Sequence, residues 1–386
     1  MSVTAPKGFL AAGVACGIKP SGDPDLALVA TADRQPVAAA GVFTSNRATA
    51  APVLVSTDHL GATGGRAAAV VLNSGNANAC TGSAGRADAE RTCALVGEHL
   101  GTDAEHVLVC STGLIGIPLP MDAVEAGVPK LAAALGPDGA AAAEAIRTTD
   151  TVRKEALVDG GPFTVGGMAK GAAMLAPSMA TMLAVLTTDA VAEPDVLAEI
   201  LRAGVADSFN ALLVDGATST NDTVLLLANG ASGHHDDVAL AEVVAAACTD
   251  LARQMGRDAE GATKLVEVRV TGAASDEDAR RAARAVAGSM LCKCSWYGCD
   301  PYWGRIVSEL GSSGAAFDPD TVSVAYGDVT VCRNGVPAAH DTTALERTMA
   351  ARDLLVAADL GLGPGRATVL TCDLTHGYVD ENKGTS

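Results

Sequence analysis

The chain has 386 residues, of which 27 are Lys or Arg and 45 are Asp or Glu, giving a net charge of −18. With 48% apolar and 19% charged residues it is a packed globular protein; a disordered chain and a minimal disulfide scaffold are both excluded. The acidic balance disfavours non-specific contact with nucleic acid or anionic membrane, and two Trp, four Tyr and five Phe leave little for base stacking, so a small-molecule partner is expected.

In chain order, the apolar stretch 9–18 lies between Lys7 and Lys19 and is followed by no clear cleavage site and polar stretch, so it reads as structure and not as a secretory leader. Runs rich in Val, Leu and Ala at 25–32, 50–56, 66–73 and 106–110 predict strands, and helical periodicity predicts helices at 84–100, 121–135 and 139–147. The Ala/Gly-rich stretch 134–145 could also pass for a linker. Helices follow near 193–206, 236–255, 276–290 and 303–310, and strands near 181–188, 222–228, 264–271, 322–332, 354–358 and 366–372. Ser275 ahead of Asp276, Glu277 and Asp278 is an N-terminal capping signature, and Gly272 closes the strand before it. The mixture is α/β or α+β throughout, without a fixed-period repeat. The uncharged run 171–188 approaches membrane-span length, but Pro177, Ser178, Thr181, Thr187 and Thr188 interrupt it, which predicts a buried segment. Ten scattered cysteines without a secretory signal predict reduced thiols and a cytoplasmic location.

Four segments could carry chemistry. The run KGAAMLAPSMATML at 170–183 follows Gly166 and Gly167, read as a Gly-rich turn, and enters a strand-like run. If the bond between Ala180 and Thr181 were cut, Thr181 would hold a free α-amine of pKa about 8 beside its own hydroxyl, a nucleophile that brings its own base. Such a pair suits acyl transfer and needs no histidine. Before cleavage the same hydroxyl can attack the Ala180 carbonyl to form an ester that water opens; the plainer reading is a buried strand that begins at Thr181. At 110–116, CSTGLIG runs a strand into a turn at Gly113 and Gly116, where a hydroxyl and a backbone N–H could meet a developing oxyanion or simply form a turn. NSGNANACTG at 73–82 must be a structured loop, and DGATSTND at 215–222 could line a site or cap a turn.

Three readings narrow the field. Cys292, Cys294 and Cys299 lack a fourth Cys or His at zinc spacing. Gly361, Gly363 and Gly365 precede Arg366 and a strand, not the third glycine and helix of a dinucleotide fingerprint. His234 and His235, beside Asp236 and Asp237, read as a solvated helix start. No metal and no cofactor is expected.

Taken together, Ala5-Pro6-Lys7-Gly8-Phe9, NSGNANACTG, STGLIG at 111–116, TTDT at 148–151, KGAAMLAPSMATML, DGATSTND, EGATK at 260–264, DPYWGR at 300–305 and ELGSSGA at 309–315 resemble the ornithine acetyltransferase family, the glutamate N-acetyltransferases of the cyclic arginine pathway. The resemblance spans the chain. It implies a layered α/β/β/α sandwich of the ornithine acetyltransferase and DmpA-like type with a smaller second domain. It also implies self-cleavage into an α chain (1–180) and a β chain (181–386) that stay associated as α2β2, with Ala180 and Thr181 flanking the cut and Thr181 as nucleophile. Thr112 and Gly113 match the family's oxyanion hole, and its substrate contacts carry over to Thr148, Lys170, Thr181, Glu260, Asn382 and Ser386. Lys170 can pair with a carboxylate and Glu260 with an ammonium, while Thr148 and Asn382 offer neutral hydrogen bonds. The implied reaction moves acetyl from N2-acetyl-L-ornithine to L-glutamate in two steps.

The chain departs from the family's pattern at Cys299, where an acid is usual, at Tyr302, where Asn is usual, and at a C-terminus one residue shorter after Asn382 and without an aromatic. These departures are consistent with a paralogue serving a specialised pathway built on ornithine or arginine. Two rivals make different expectations. A hydrolase of the same fold, an aminopeptidase or amidase, would give its acyl group to water, although such relatives favour Ser at the nucleophile. A non-catalytic binding protein would remain one intact polypeptide.

Overall fold

The structure, a computed structural model, describes residues 3–175 and 182–384. They form two compact units: the larger holds 3–175, 182–210 and 217–255, the smaller 211–216 and 256–384. The larger unit opens with strands β1 (Phe9–Val14), β2 (Leu26–Thr31) and β3 (Val37–Phe43), then helix α1 (Ala51–Ala62). After β4 (Arg66–Ala67) and β5 (Ala69–Asn76), α2 (Gly82–Leu100) crosses over to β6 (Val107–Leu114), which α3 (Met121–Ala133) and α4 (Ala140–Ala145) follow. β7 (Lys154–Asp159) and β8 (Thr164–Lys170) pair as a hairpin; then come β9 (Leu183–Thr188), α5 (Pro194–Ala206), β10 (Thr223–Ala228) and α6 (Asp237–Arg257).

One sheet runs β1-β2-β5-β6 and the other β4-β3-β10-β9-β8-β7. Alternation along the strands sorts their side chains into two layers. Val29, Val70, Leu72 and Leu108 of the first sheet meet Met168, Val185, Leu225 and Leu227 of the second. The intervening Leu28, Val71 and Val109 turn outward onto Val55 of α1, Cys93 and Val96 of α2 and Val124 and Val128 of α3. Beyond the second sheet, Gly167 of β8 faces Leu251 of α6, and Gly204 of α5 lies against Val244 of α6. The layers are therefore α/β/β/α. Strands β2, β9 and β10 are buried at every position, which is why they read as continuous apolar runs.

Four sequence expectations need correction. The run 50–56 is not a strand but the start of α1. Pro52 sits in the first helical turn, where its fixed φ is favourable, and the helix covers the open edge of β6. Ser56 Oγ donates to Val109 O (2.7 Å) and accepts from Val109 N (2.8 Å), and His59 Nδ1 lies 2.8 Å from Val107 O, so side chains replace a missing strand. Gly166 and Gly167 form no turn; they lie inside β8, where a missing side chain lets Leu251 approach to 3.2 Å of a would-be Cβ. The stretch 134–145 is not a linker, since α4 buries Ala142, Ala143 and Ala145 and touches β1 where Gly13 leaves room for the Ala141 carbonyl. The run 322–332 is two strands, because Gly327 takes φ +56° and turns the chain in two residues.

The smaller unit carries β11 (Leu265–Ala273), α7 (Asp276–Gly288), α8 (Met290–Tyr297), α9 (Gly304–Ser312), β12 (Ser323–Tyr326), β13 (Val329–Arg333), β14 (Val336–Pro337), α10 (Thr342–Ala350), β15 (Asp353–Asp359), β16 (Gly365–Cys372) and α11 (His376–Glu381). Its sheet runs β14-β13-β12-β15-β11-β16, and Val266, Val268, Val270, Val324 and Val356 pack with residues of α7 to α10. The Ser275 cap is present: its side chain accepts from Asp278 N at 3.1 Å. No helix of the described residues is long and apolar enough to cross a membrane.

Candidate active site

The paired ends of β5 and β6 carry two of the motifs. In parallel register, Asn73 pairs with Ser111, Ser74 with Thr112 and Gly75 with Gly113; the ladder then shifts at Asn76, which pairs with both Thr112 and Leu114. Such an irregularity bends a strand end and re-aims its side chains. Gly113 has φ +133°, and a Cβ there would fall 2.3 Å from the Gly75 carbonyl carbon, so conformation and space both require glycine.

The asparagines of the 73–82 loop are spent on backbone. Asn73 Nδ2 donates to Asn76 O (2.8 Å), Asn78 Nδ2 to Gly85 O (2.7 Å), and Ser111 Oγ to Asn73 Oδ1 (2.5 Å). Asn221, from the DGATSTND run, donates through Nδ2 to Ala77 O (2.6 Å) and Ser111 O (2.9 Å), so one buried amide ties both loops to the end of β6. The open question about these loops resolves toward construction: their side chains brace the strand end that presents Thr112 and Gly113.

Lys170 closes β8 and is 3% exposed; its Nζ donates to Thr112 Oγ1 at 3.2 Å. Behind it lies Asp150, whose Oδ1 accepts from Lys154 Nζ (2.6 Å) and from the Gly171 amide (2.7 Å), while its Oδ2 accepts from the Thr148 amide (3.1 Å). Burial alone would push the Asp150 carboxyl up, but the charges of Lys170 and Lys154 and the Gly171 amide outweigh it and hold the group at about 2. Thr148, Lys170 and Thr112 are thus linked through one buried carboxylate and one ammonium.

Asp222 precedes β10 and is fully buried. Its Oδ1 accepts from the Met182 amide at 2.9 Å, and among the described residues its Oδ2 meets no hydrogen-bond partner of ordinary geometry. Burial pushes its carboxyl well above the usual range, against the opposing effects of the Met182 amide, Ser219 and the Lys170 charge.

In the smaller unit, Asn382 Nδ2 donates to Glu260 Oε2 at 2.7 Å and to Tyr378 O at 2.8 Å. Gly261 takes φ +64° and approaches Gly377 and Tyr378 so closely that a Cβ would meet the Tyr378 nitrogen at 2.2 Å. Glu260 and the C-terminal segment are thereby held side by side. Cys299, at φ +53°, and the exposed Tyr302 lie in the connection between α8 and α9.

Of the expected residues, the structure joins Thr112, Gly113, Lys170 and Thr148 in one unit and Glu260 with Asn382 in the other. Ala180, Thr181 and Ser386 lie outside the described residues. Asp150, Lys154, Asn221 and Asp222 were not singled out from sequence; TTDT and DGATSTND contain three of them, but motif membership says nothing about which carboxylate becomes buried. Among the described residues, no group of three or more His, Cys, Asp or Glu is placed to hold a metal ion, and all ten cysteines are free thiols.

Comparison with known proteins places these features in a family. The ArgJ family model matches residues 10–384. The arginine biosynthesis bifunctional protein ArgJ of Thermobifida fusca is 50% identical over 388 residues, covering 100% of both chains, and that of Mycolicibacterium paratuberculosis is 51% identical over 394 residues, covering 100% of this chain and 96% of its own. Among solved structures, ornithine acetyltransferase from Mycobacterium tuberculosis, complexed with ornithine, is 52% identical with a TM-score of 0.44, covering 46% of this chain and 95% of that one. With identity at this level along its whole length, the chain belongs to the ArgJ family.

Proposed function

We propose that the protein is a self-processing glutamate N-acetyltransferase that takes acetyl from N2-acetyl-L-ornithine onto Thr181, releases L-ornithine and passes the acetyl to the α-amine of L-glutamate. The reading rests on family membership, and the observation that carries its chemistry is the buried Lys170–Thr112 hydrogen bond beside a strand end that only glycine can complete.

In the first step the Thr181 hydroxyl attacks the acetyl carbonyl and its proton passes to the Thr181 α-amine, freed when the Ala180–Thr181 bond is cut. Negative charge then gathers on the carbonyl oxygen, where the Thr112 hydroxyl and the Gly113 amide are the proposed donors. Lys170 polarises that hydroxyl from behind and supplies a positive charge for a substrate carboxylate. As the C–N bond breaks, the leaving nitrogen takes the proton and departs as ornithine. The glutamate amine then attacks the ester, and Thr181 recovers its hydroxyl proton. The ester must be kept from water in between, or acetate is lost. Glu260, steadied by Asn382, is assigned to the substrate ammonium, Thr148 to a neutral hydrogen bond, and Ser386 to a contact from the C-terminus. We further place the enzyme in the cytoplasm as an α2β2 assembly of its two chains.

The test is to follow ornithine release from N2-acetyl-L-ornithine with and without L-glutamate. Release that depends strongly on glutamate is the expected result; equally fast release into water alone identifies a hydrolase and overturns the transferase reading.

A further inference from the structure

Asp25 immediately precedes β2 and is fully buried, and its carboxylate is given over to one loop of the larger unit. Oδ1 accepts from the Cys16 amide (2.7 Å), and Oδ2 accepts from the amides of Gly17 (3.0 Å), Ile18 (2.7 Å) and Lys19 (2.9 Å). Four successive backbone N–H groups turned toward one point form a nest, and a side chain with acceptors alone suits it. Gly17 takes φ +102°, which lets the loop curl around the carboxylate. The main chain of Asp25 is engaged as well: its amide donates to Val14 O (3.0 Å) at the end of β1, and its carbonyl accepts from the Ser74 amide (2.9 Å) of β5.

This clasp reaches the strand end that presents Thr112 and Gly113 by two routes. Along the backbone, Asp25 holds Ser74, which stands opposite Thr112 in the register of β5 and β6. Through side chains, the loop lays Ile18 and Lys19 on Gly75, where an added Cβ would fall 2.9 Å from Lys19 Cγ and 3.4 Å from Ile18 Cγ2. Lys19 is fixed at its far end, where Nζ donates to Pro24 O at 2.8 Å. Gly75 in turn stands opposite Gly113, and a Cβ on Gly113 would strike it. Loop, Gly75 and Gly113 are thus stacked with no room for a methyl group at either glycine, so a shift of the loop is passed on to Gly113.

We propose that Asp25 is a positioning residue for acetyl transfer: by gathering the 16–19 amides it sets the place of Gly75 and, through it, of the Gly113 amide and the Thr112 hydroxyl. The inference rests on Thr112 and Gly113 being the oxyanion donors of the proposed reaction. Such donors act by being fixed before the charge develops, and a misplacement of about 1 Å can cost about 10²-fold in rate. Asp25 is assigned no contact with substrate; it acts through Gly75.

The test is kcat per competent site. Sites are counted as the acetyl groups retained after incubation with N2-acetyl-L-ornithine alone, so chains that fold or mature poorly drop out of the count. Asp25→Asn keeps the size of the side chain but turns an NH2 group toward amides that also donate. Its kcat per site is expected to fall about 10- to 100-fold, with KM for either substrate changed less than about twofold. Gly17→Ala strains the same nest at φ +102° while its new methyl group enters open space, and a fall of about 3- to 10-fold is expected. Asp23→Asn, on the exposed turn of the same connection, should leave kcat unchanged. A role confined to stability lowers only the number of sites, so a wild-type kcat per site in Asp25→Asn overturns the proposal. Should that variant yield no countable site, a wild-type kcat per site in Gly17→Ala overturns it. A wild-type enzyme that retains no acetyl refutes the proposed reaction and this inference with it, whereas acetyl retention together with undiminished kcat in the variants refutes only the role of Asp25.

Discussion

Lys154 Nζ lies 2.6 Å from Asp150 Oδ1, and neither side chain has any exposed surface. The carboxylate also faces Lys170, so removing it leaves two ammonium groups near one another in a dry interior. Asp150→Asn is expected to cost about 3–5 kcal/mol, read as a lowered urea midpoint at neutral pH. The pH dependence has a definite sign. Asp150 titrates at about 2 in the folded protein, below its unfolded value, so its stabilisation is present above about pH 4 and is lost as pH falls toward 2. Urea titrations between pH 5 and pH 2 should show a smaller acid-induced loss in Asp150→Asn than in the wild type.

Thr112→Val keeps the shape of a side chain that is 2% exposed and removes the hydroxyl that Lys170 reaches. If that hydroxyl meets the oxyanion, kcat should fall about 10²–10³-fold with little change in KM for either substrate. A rise in KM with kcat intact would assign Thr112 to ground-state binding instead.

Gly113→Ala forces a Cβ to 2.3 Å from the Gly75 carbonyl carbon at a φ that L side chains avoid. The strand end must move, and we expect acetyl transfer to fall by at least about 10²-fold while the melting temperature drops by only a few degrees, since the strain is confined to one end of β6. Steady-state kinetics alongside calorimetry will read both.

Glu260→Gln preserves the acceptor for Asn382 but loses the negative charge. A hydrogen bond to a charged group contributes about 1.5–3 kcal/mol, so KM for the amino-acid substrates should rise on the order of 10- to 100-fold with folding unaffected. An unchanged KM would remove Glu260 from the substrate contacts.

Much of the fold was legible because two signals are strong in this chain. Helices such as α2, α3, α5 and α7 carry clear periodicity or caps, and fully buried strands such as β2, β9 and β10 read as unbroken apolar runs. What misled was composition without context. Val53 and Val55 look strand-forming, yet Pro52 starts a helix whose Ser56 then satisfies the edge of β6, a tertiary requirement that no local window displays. Two adjacent glycines suggest a turn, yet at Gly166 and Gly167 they mark where α6 comes close to β8. The site shows the same division. Thr112, Gly113 and Lys170 were reached through motifs and prove to be neighbours, whereas the burial of Asp150 and Asp222 and the amides they meet appear only once β8, β9 and β10 lie side by side.

The most direct test is the intact mass of the purified protein before and after incubation with N2-acetyl-L-ornithine alone. We expect two fragments, the second beginning at Thr181, and after incubation a second fragment heavier by one acetyl group that glutamate then removes. A single uncut chain that nevertheless transfers acetyl at full rate would contradict the mechanism proposed for Thr181.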